Sequence, residues 1–198
     1  MKRATLAITT FTLLAAMAAF AQSTGQKSFA TMKSLAGNWE GKDSQGSAVE
    51  VSNRVTAGGS AVMSEIKTNM HGKAEDMISM INMDGDRLLL THYCSAGNQP
   101  RMQAALSPDG KSITFTFLDA TNLANADAPH MQSVTFNFID ANHHTEEWHF
   151  AMQGKEMTQR FDLERKSWSG AWNVLRSRHR RREIDLCWRV TTTQHLKK

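Results

Sequence analysis

Between Gln45 and Lys155 the chain is cut, at short and regular spacing, by turn chemistry. The breaks are Gln45-Gly46, Gly58-Gly59, His71-Gly72-Lys73, Asp84-Gly85-Asp86, Gly97-Asn98, Pro108-Asp109-Gly110 and Gln153-Gly154-Lys155. Glycine reaches the positive φ of tight hairpins, and Asn, Asp and Pro favour the flanking turn positions. The segments between the breaks are too short for crossover helices, so a parallel βαβ arrangement is excluded. An antiparallel meander remains, and closing it into a barrel removes the exposed edges. The expected fold is therefore an all-β, antiparallel up-and-down barrel of about 8–10 strands. The predicted strands are 38–42, 48–56, 61–69, 76–83, 87–95, 101–107, 112–118, 131–139, 144–152 and 156–163.

Phe29, Met32 and Leu35 recur at three-residue spacing, with Ala36 beside them, which predicts a short amphipathic helix from about Lys27 to Leu35. Such a helix can close one end of a barrel. After Gly37 the apolar period changes to two. Ile113, Phe115 and Phe117 share one face, Val134, Phe136 and Phe138 another, and Trp148, Phe150 and Met152 a third; Met157, Phe161 and Leu163 continue the pattern, with Gln159 interrupting it. With Met63, Met77, Met80, Met102 and Met131 among them, these stripes suit an adaptable apolar pocket and equally a filled core. The longer break from Asp119 to Pro129 is a candidate lid or mouth loop.

Residues 1–21 read as a signal peptide. Lys2 and Arg3 lead an uncharged, mostly apolar run, and Ala19-Phe20-Ala21 is a small-x-small cleavage site that predicts Gln22 as the mature N-terminus. The expected destination is the periplasm or the exterior. Residues 22–165 form the barrel domain, and residues 166–198 a basic tail with little expected order. The tail holds nine Lys and Arg against Glu183 and Asp185, a charge of +7, and the leader adds +2. Of a total of +4, the barrel therefore carries −5, which argues against nucleic acid as its partner. In the tail, Trp168, Trp172 and Leu175 precede a run of arginines, a pattern that suits contact with an anionic membrane or envelope surface. Its abrupt change of style also fits a non-native terminus. Cys94 and Cys187 are too few for a disulfide framework, and Cys94 reads as a buried free thiol in an apolar strand.

The most distinctive stretch is Thr91-His92-Tyr93-Cys94, followed by Pro100-Arg101-Met102. Alternation puts His92 and Cys94 on one face and Tyr93 on the other, so only one of His92 and Tyr93 can point inward. His92 reads either as a polar handle in a pocket or as a hydrogen-bonded core residue, and a Cys/His pair can also bind metal. Arg101, near one rim, can receive a carboxylate or phosphate. With the apolar side chains Phe115, Phe136 and Trp148, these residues are the candidate ligand contacts. No cofactor is predicted. Haem or zinc is the weaker alternative, with His130 at the barrel mouth and His149 in the His143-Glu147-His149 face as candidate ligands. The plainer reading puts His149 on the solvent side, opposite Trp148. There is no C-x-x-C-H, no G-x-S-x-G and no phosphate-binding loop, which favours a binding module over an enzyme.

The Leu35-x-Gly37-x-Trp39-x-Gly41 opening resembles that of the lipocalin-like, or calycin, superfamily. The stretches 58–65, 83–88 and 91–102, with a closing Phe161-x-Leu163-x-Arg165, look like a group of uncharacterised exported bacterial proteins with this barrel. The resemblance covers about residues 35–165 and implies a fold and an export route, without an activity. Haem-binding nitrobindin-type barrels share the opening but place a His late in the barrel. This chain has none between Glu156 and Arg165, leaving His144 or His149 as substitutes.

Three functions follow as expectations. The first is an exported binding protein for a small apolar or amphipathic ligand. The second is a haem- or metal-binding barrel with redox or hydrolytic activity. The third is an envelope interaction protein with no ligand cavity.

Overall fold

The computed structural model describes residues 22–70, 72–152 and 154–166. The leader at 1–21, the tail from 167 on with Cys187, His71 and Gln153 lie outside the described residues. A helix, α1 (Thr24–Ser34), precedes ten strands: β1 (Gly37–Asp43), β2 (Ala48–Thr56), β3 (Ala61–Met70), β4 (Lys73–Asp84), β5 (Arg87–Tyr93), β6 (Gln99–Leu106), β7 (Ser112–Thr121), β8 (His130–Asp140), β9 (His143–Met152) and β10 (Lys155–Arg165). Each strand pairs antiparallel with the next, and β1 pairs with β10, so the sheet closes into a barrel. The predicted fold class is the one observed.

The helix starts three residues earlier than its apolar spacing suggests. Ser23 and Gln26 form a capping box, with Gln26 N–H donating to Ser23 Oγ (3.2 Å) and Ser23 N–H donating to Gln26 Oε1 (3.1 Å). Phe29, Met32 and Leu35 are buried against the end of the barrel where β4 turns into β5. Gly25 permits this approach, since a Cβ there would stand 2.1 Å from the Asp86 carbonyl oxygen.

Inside, period-two alternation does what the sequence pattern requires. Val49 and Val51, Ile66, Ile81, Leu88 and Leu90, Met102, Ile113 and Phe115, Val134 and Phe136, Trp148, and Phe161 and Leu163 make one continuous buried core. The expected stripes fail at their ends. Met152 and Met157 flank the β9–β10 turn and are exposed, because the hairpin projects past the core. Cys94 also departs from expectation. β5 stops at Tyr93, so Cys94 lies in the following turn as a partly buried free thiol, its pKa raised by that burial. β7 runs on to Thr121, which shortens the predicted loop to residues 122–129. Bulges interrupt β6 at Arg101/Met102 and β8 at Met131/Ser133 and Phe138/Asp140.

The barrel is clasped where its first and last strands meet. Trp39 pairs across the ladder with Arg165, is buried, and donates its indole N–H to the Leu35 carbonyl (2.8 Å). The Arg165 guanidinium lies 4.2 Å from the Trp39 ring. It also donates to three carbonyls, Ser34 (3.0 Å), Ala36 (2.8 Å) and Ala141 (3.1 Å). One side chain therefore ties the end of α1, the β8–β9 turn and both closing strands. Gly41 lets β1 and β10 approach, since a Cβ there would sit 1.8 Å from the Asp162 carbonyl oxygen.

Three charge-assisted hydrogen bonds and a cation–π contact at a half-buried site set the expected effect of removing the clasp. Arg165→Met is expected to destabilise the barrel by about 2–4 kcal/mol. Arg165→Lys, which keeps the charge and loses the planar fork, should recover less than half of that. Urea unfolding of both variants measures the difference; equal stability of the lysine variant and wild type would contradict the clasp.

Candidate functional site

The inner wall is mostly apolar, but Thr68 of β3, opposite Val49, is buried in it, and two polar strips cross it. The first crosses four neighbouring strands. Asn53 of β2 stands opposite Ser64 of β3, Ser64 opposite Ser79 of β4, and Ser79 opposite His92 of β5. The registers run without a slip, so the four side chains share the inner face. They are 6, 3, 1 and 0% exposed. The row runs obliquely: Asn53 is mid-strand, whereas His92 is the penultimate residue of β5, next to the Cys94–Asn98 turn at the end away from α1. Ser79 Oγ and His92 Nδ1 are 2.9 Å apart. The His92 ring reaches the far wall, 4.9 Å from Trp148 of β9 between centroids. Its Nε2 is buried with no hydrogen-bond partner, as is Asn53 Nδ2. Burial pushes the His92 pKa down to about 4, so the ring is neutral at neutral pH. A neutral imidazole carries one N–H. If Nδ1 accepts from the serine hydroxyl, Nε2 is a free donor; if Nδ1–H donates, Nε2 is a free acceptor.

The second strip is His144, Glu146 and Trp148, alternate residues of β9. Trp148 Nε1–H donates to Glu146 Oε2 (2.9 Å), and Glu146 Oε1 lies 3.2 Å from His144 Nε2. His144 and Glu146 are both fully buried. A carboxyl group taken out of water is tolerated only with such partners. The His144 ring stands edge-on to Trp39 at 4.3 Å, and its Nδ1 has no partner. The His92–Trp148 contact joins the two strips, so an aromatic and polar belt runs through the lumen from Trp39 to Asn53. Chemically, the belt offers a carboxyl–imidazole pair shielded from water and two imidazole nitrogens with free capacity. Among the described residues, no three His, Cys, Asp or Glu side chains converge in a metal-binding arrangement.

Of the six residues predicted as ligand contacts, four lie in the lumen. His92, Phe115, Phe136 and Trp148 are all buried, with Phe115 and Phe136 rings 5.9 Å apart and Phe136 and Trp148 rings 6.4 Å apart. Tyr93 and Arg101 do not join them. His92 takes the inward position, so Tyr93 points out, 49% exposed and opposite Ile78. Arg101 also faces out, where it grips the Asp119 carboxylate of β7, because Met102 fills the inward place beside it. The two weaker metal candidates have both ring nitrogens engaged. His130 is buried against Phe117, its Nδ1–H donating to the Ala128 carbonyl (2.6 Å) and its Nε2 accepting from Gln132 (2.6 Å). His149 is on the outer face, between Glu156 (2.6 Å) and Glu147 (3.0 Å).

Asn53, Ser64, Ser79 and Glu146 were not singled out by sequence. With Trp148 inward, alternation alone puts Glu146 and His144 inward too, so that signal was present. The row from Asn53 to His92 needs the pairing register of three hairpins, which periodicity within one strand does not carry. The end away from α1 is drawn together by its loops. Asn98 Nδ2 donates to the Pro129 carbonyl (2.7 Å), and Asn122 Nδ2 to the Gly97 carbonyl (2.7 Å). The segment 122–129 thus leans on the β5–β6 turn.

No family model and no curated protein matches the chain. Among solved structures it is similar to a protein of unknown function from the DUF3598 family of Nostoc punctiforme, at 10% identity and a TM-score of 0.46. The similarity covers 69% of this chain and 49% of that one, so the chain spans about half the length of that structure.

The neutral, buried His92 has a consequence for stability. Its pKa is about 4 in the folded protein and about 6.5 in the unfolded chain. Between those values the unfolded chain binds more protons, so stability rises with pH. The contribution is fully present above about pH 6.5 and is lost as pH falls to about 4, on the order of 3 kcal/mol in all. Urea unfolding of wild type and His92→Leu across this window should show a stability difference that shrinks with acid in favour of the variant. A difference independent of pH would refute a buried neutral imidazole.

Proposed function

We propose that this chain is an exported, lipocalin-like binding protein, and that its barrel takes a small apolar or amphipathic molecule through the end opposite α1. One observation carries the reading. A mostly apolar lumen holds buried polar atoms with no partner, namely Asn53 Nδ2, Thr68 Oγ1, His92 Nε2 and His144 Nδ1, and Asn98 Oδ1 in the β5–β6 turn is a fifth. Buried polar atoms are nearly always hydrogen-bonded, and an orphaned group calls for a water or a ligand to fill it. Half-buried Phe117 and Phe150 lie on the mouth side of the core, where an entering chain would meet them. Met77, Met102 and Met131 are the adaptable side chains of the wall. The leader pattern supports export. A haem- or metal-loaded barrel would use the same free imidazole nitrogens, of His92 or His144.

The full burial of Phe115 and Phe136, packed on each other, favours a second reading: an interaction protein with a solid core, meeting the envelope through its basic tail. Native mass spectrometry of the exported protein separates the readings. The binding reading expects a reproducible adduct whose mass tells lipid from haem or metal. Phe150→Ala should lower its occupancy roughly tenfold, about 1.4 kcal/mol, while leaving the barrel folded. A bare protein mass from every preparation, unchanged after exposure to a total lipid extract, would leave the solid core as the answer.

A further inference from the structure

The ligand class can be narrowed, on the premise that the barrel binds a small molecule. We infer that His92 is the head-group contact, and that the ligand is an uncharged apolar chain bearing one oxygen function, a carbonyl or a hydroxyl. Position comes first. His92 Nε2 is fully buried, has no partner, and belongs to a ring that crosses the lumen to Trp148. It stands at the mouth end of β5, so a head group entering past the Cys94–Asn98 turn meets it early. Asn53 Nδ2, at the other end of the row, lies three strand spacings away, roughly 14 Å along the sheet. One small head group cannot reach both, and of the two His92 is the nearer to the mouth; Asn98 Oδ1 in the adjoining turn and Thr68 Oγ1 near the end of β3 are further unpartnered atoms toward that end, but neither is on a ring that crosses the lumen.

Charge decides the class. Among the described residues no Lys or Arg is buried, so the lumen offers an anion no cation. Beyond Trp148, against which the His92 ring packs, lies the Glu146 carboxyl, which Trp148 holds by its indole N–H. A carboxylate ligand at His92 would be buried with a neutral imidazole as its only support, and with a second carboxyl beyond Trp148, which is costly. A carbonyl oxygen needs only the Nε2–H, and a hydroxyl satisfies the ring in either tautomer. Ser79 fixes the ring through Nδ1, as a positioning residue. The apolar remainder would lie along Trp148 and Phe136, with Met77 and Met102 yielding to it.

The test titrates the full chain with decan-2-one, decan-1-ol and decanoate, by calorimetry. The ketone or the alcohol should bind at least about tenfold more tightly than decanoate. His92→Leu should remove that preference. His92→Gln, whose amide nitrogen reaches the Nε2 position, should keep it. Ser79→Ala, which frees the ring without emptying the core, should weaken the neutral ligand several-fold and decanoate not at all. Tightest binding of decanoate, or no effect of either His92→Leu or Ser79→Ala, overturns the inference while the barrel reading stands. Failure of all three probes to bind wild type overturns both.

Discussion

The closure between β1 and β10 is the constraint on which the rest of this structure depends. It joins residues at the two ends of the barrel sequence, Trp39 opposite Arg165, and so carries the largest loop-closure cost of any pairing. Backbone hydrogen bonds alone would leave this seam as weak as any short antiparallel pair. Arg165 adds bonds to α1 and to the β8–β9 turn, and Trp39 adds a buried indole. Burial of an aromatic of that size contributes on the order of 4 kcal/mol. Gly41 makes the seam close enough to pack, since any side chain there would strike the Asp162 carbonyl. Without this seam β1 and β10 become exposed edges, and the inner face opens to water.

A sealed wall sets the terms for everything inside it. In that low-dielectric space polar atoms must find partners among themselves, and the belt from Trp39 through His144, Glu146, Trp148 and His92 to Ser79 is how most of them do. The edge-on contact of His144 with Trp39 links this belt to the clasp, because the face of Trp39 also meets Arg165. The same side chain that closes the barrel therefore helps to set the far end of the polar belt. Substitutions at the seam and at the site are close enough to couple and should not be treated as additive.

The elements legible in the sequence were those written in local chemistry. Glycines such as Gly85, Gly97 and Gly110 take positive φ in hairpin turns, so each boundary carried its own signal. Alternation placed Phe115, Phe136 and Trp148 on strand faces of their own, and the change of period after Gly37 marked where the strands begin. What escaped depends on relations between strands. The bulge at Arg101/Met102 and the aligned registers of β2 to β5 decide which polar residues meet, and no single strand records them. The exposed ends at Met152 and Met157 were missed for a related reason, since periodicity shows which side a residue takes and not how far the barrel extends along its axis.

The unpaired atoms of the belt weigh on the choice between a filled core and a site. Each buried polar atom left without a partner costs roughly 1–3 kcal/mol. Among the described residues Asn53, His92 and His144 of the belt each leave one, as do Thr68 and Asn98. Val51, Ile66 and Leu90, two residues from Asn53, Thr68 and His92 on the same faces, show that the wall accepts apolar side chains of comparable size. Packing alone therefore gives no physical reason for the polar ones, and for a barrel whose only task is to stay folded they are a loss of stability. A water or a ligand that completes their hydrogen bonds would offset the loss. An apolar wall with a few oriented polar atoms is the composition that small-molecule sites share, and here His92 Nε2, at the end of β5 away from α1, belongs to a ring that is held in place from behind by Ser79.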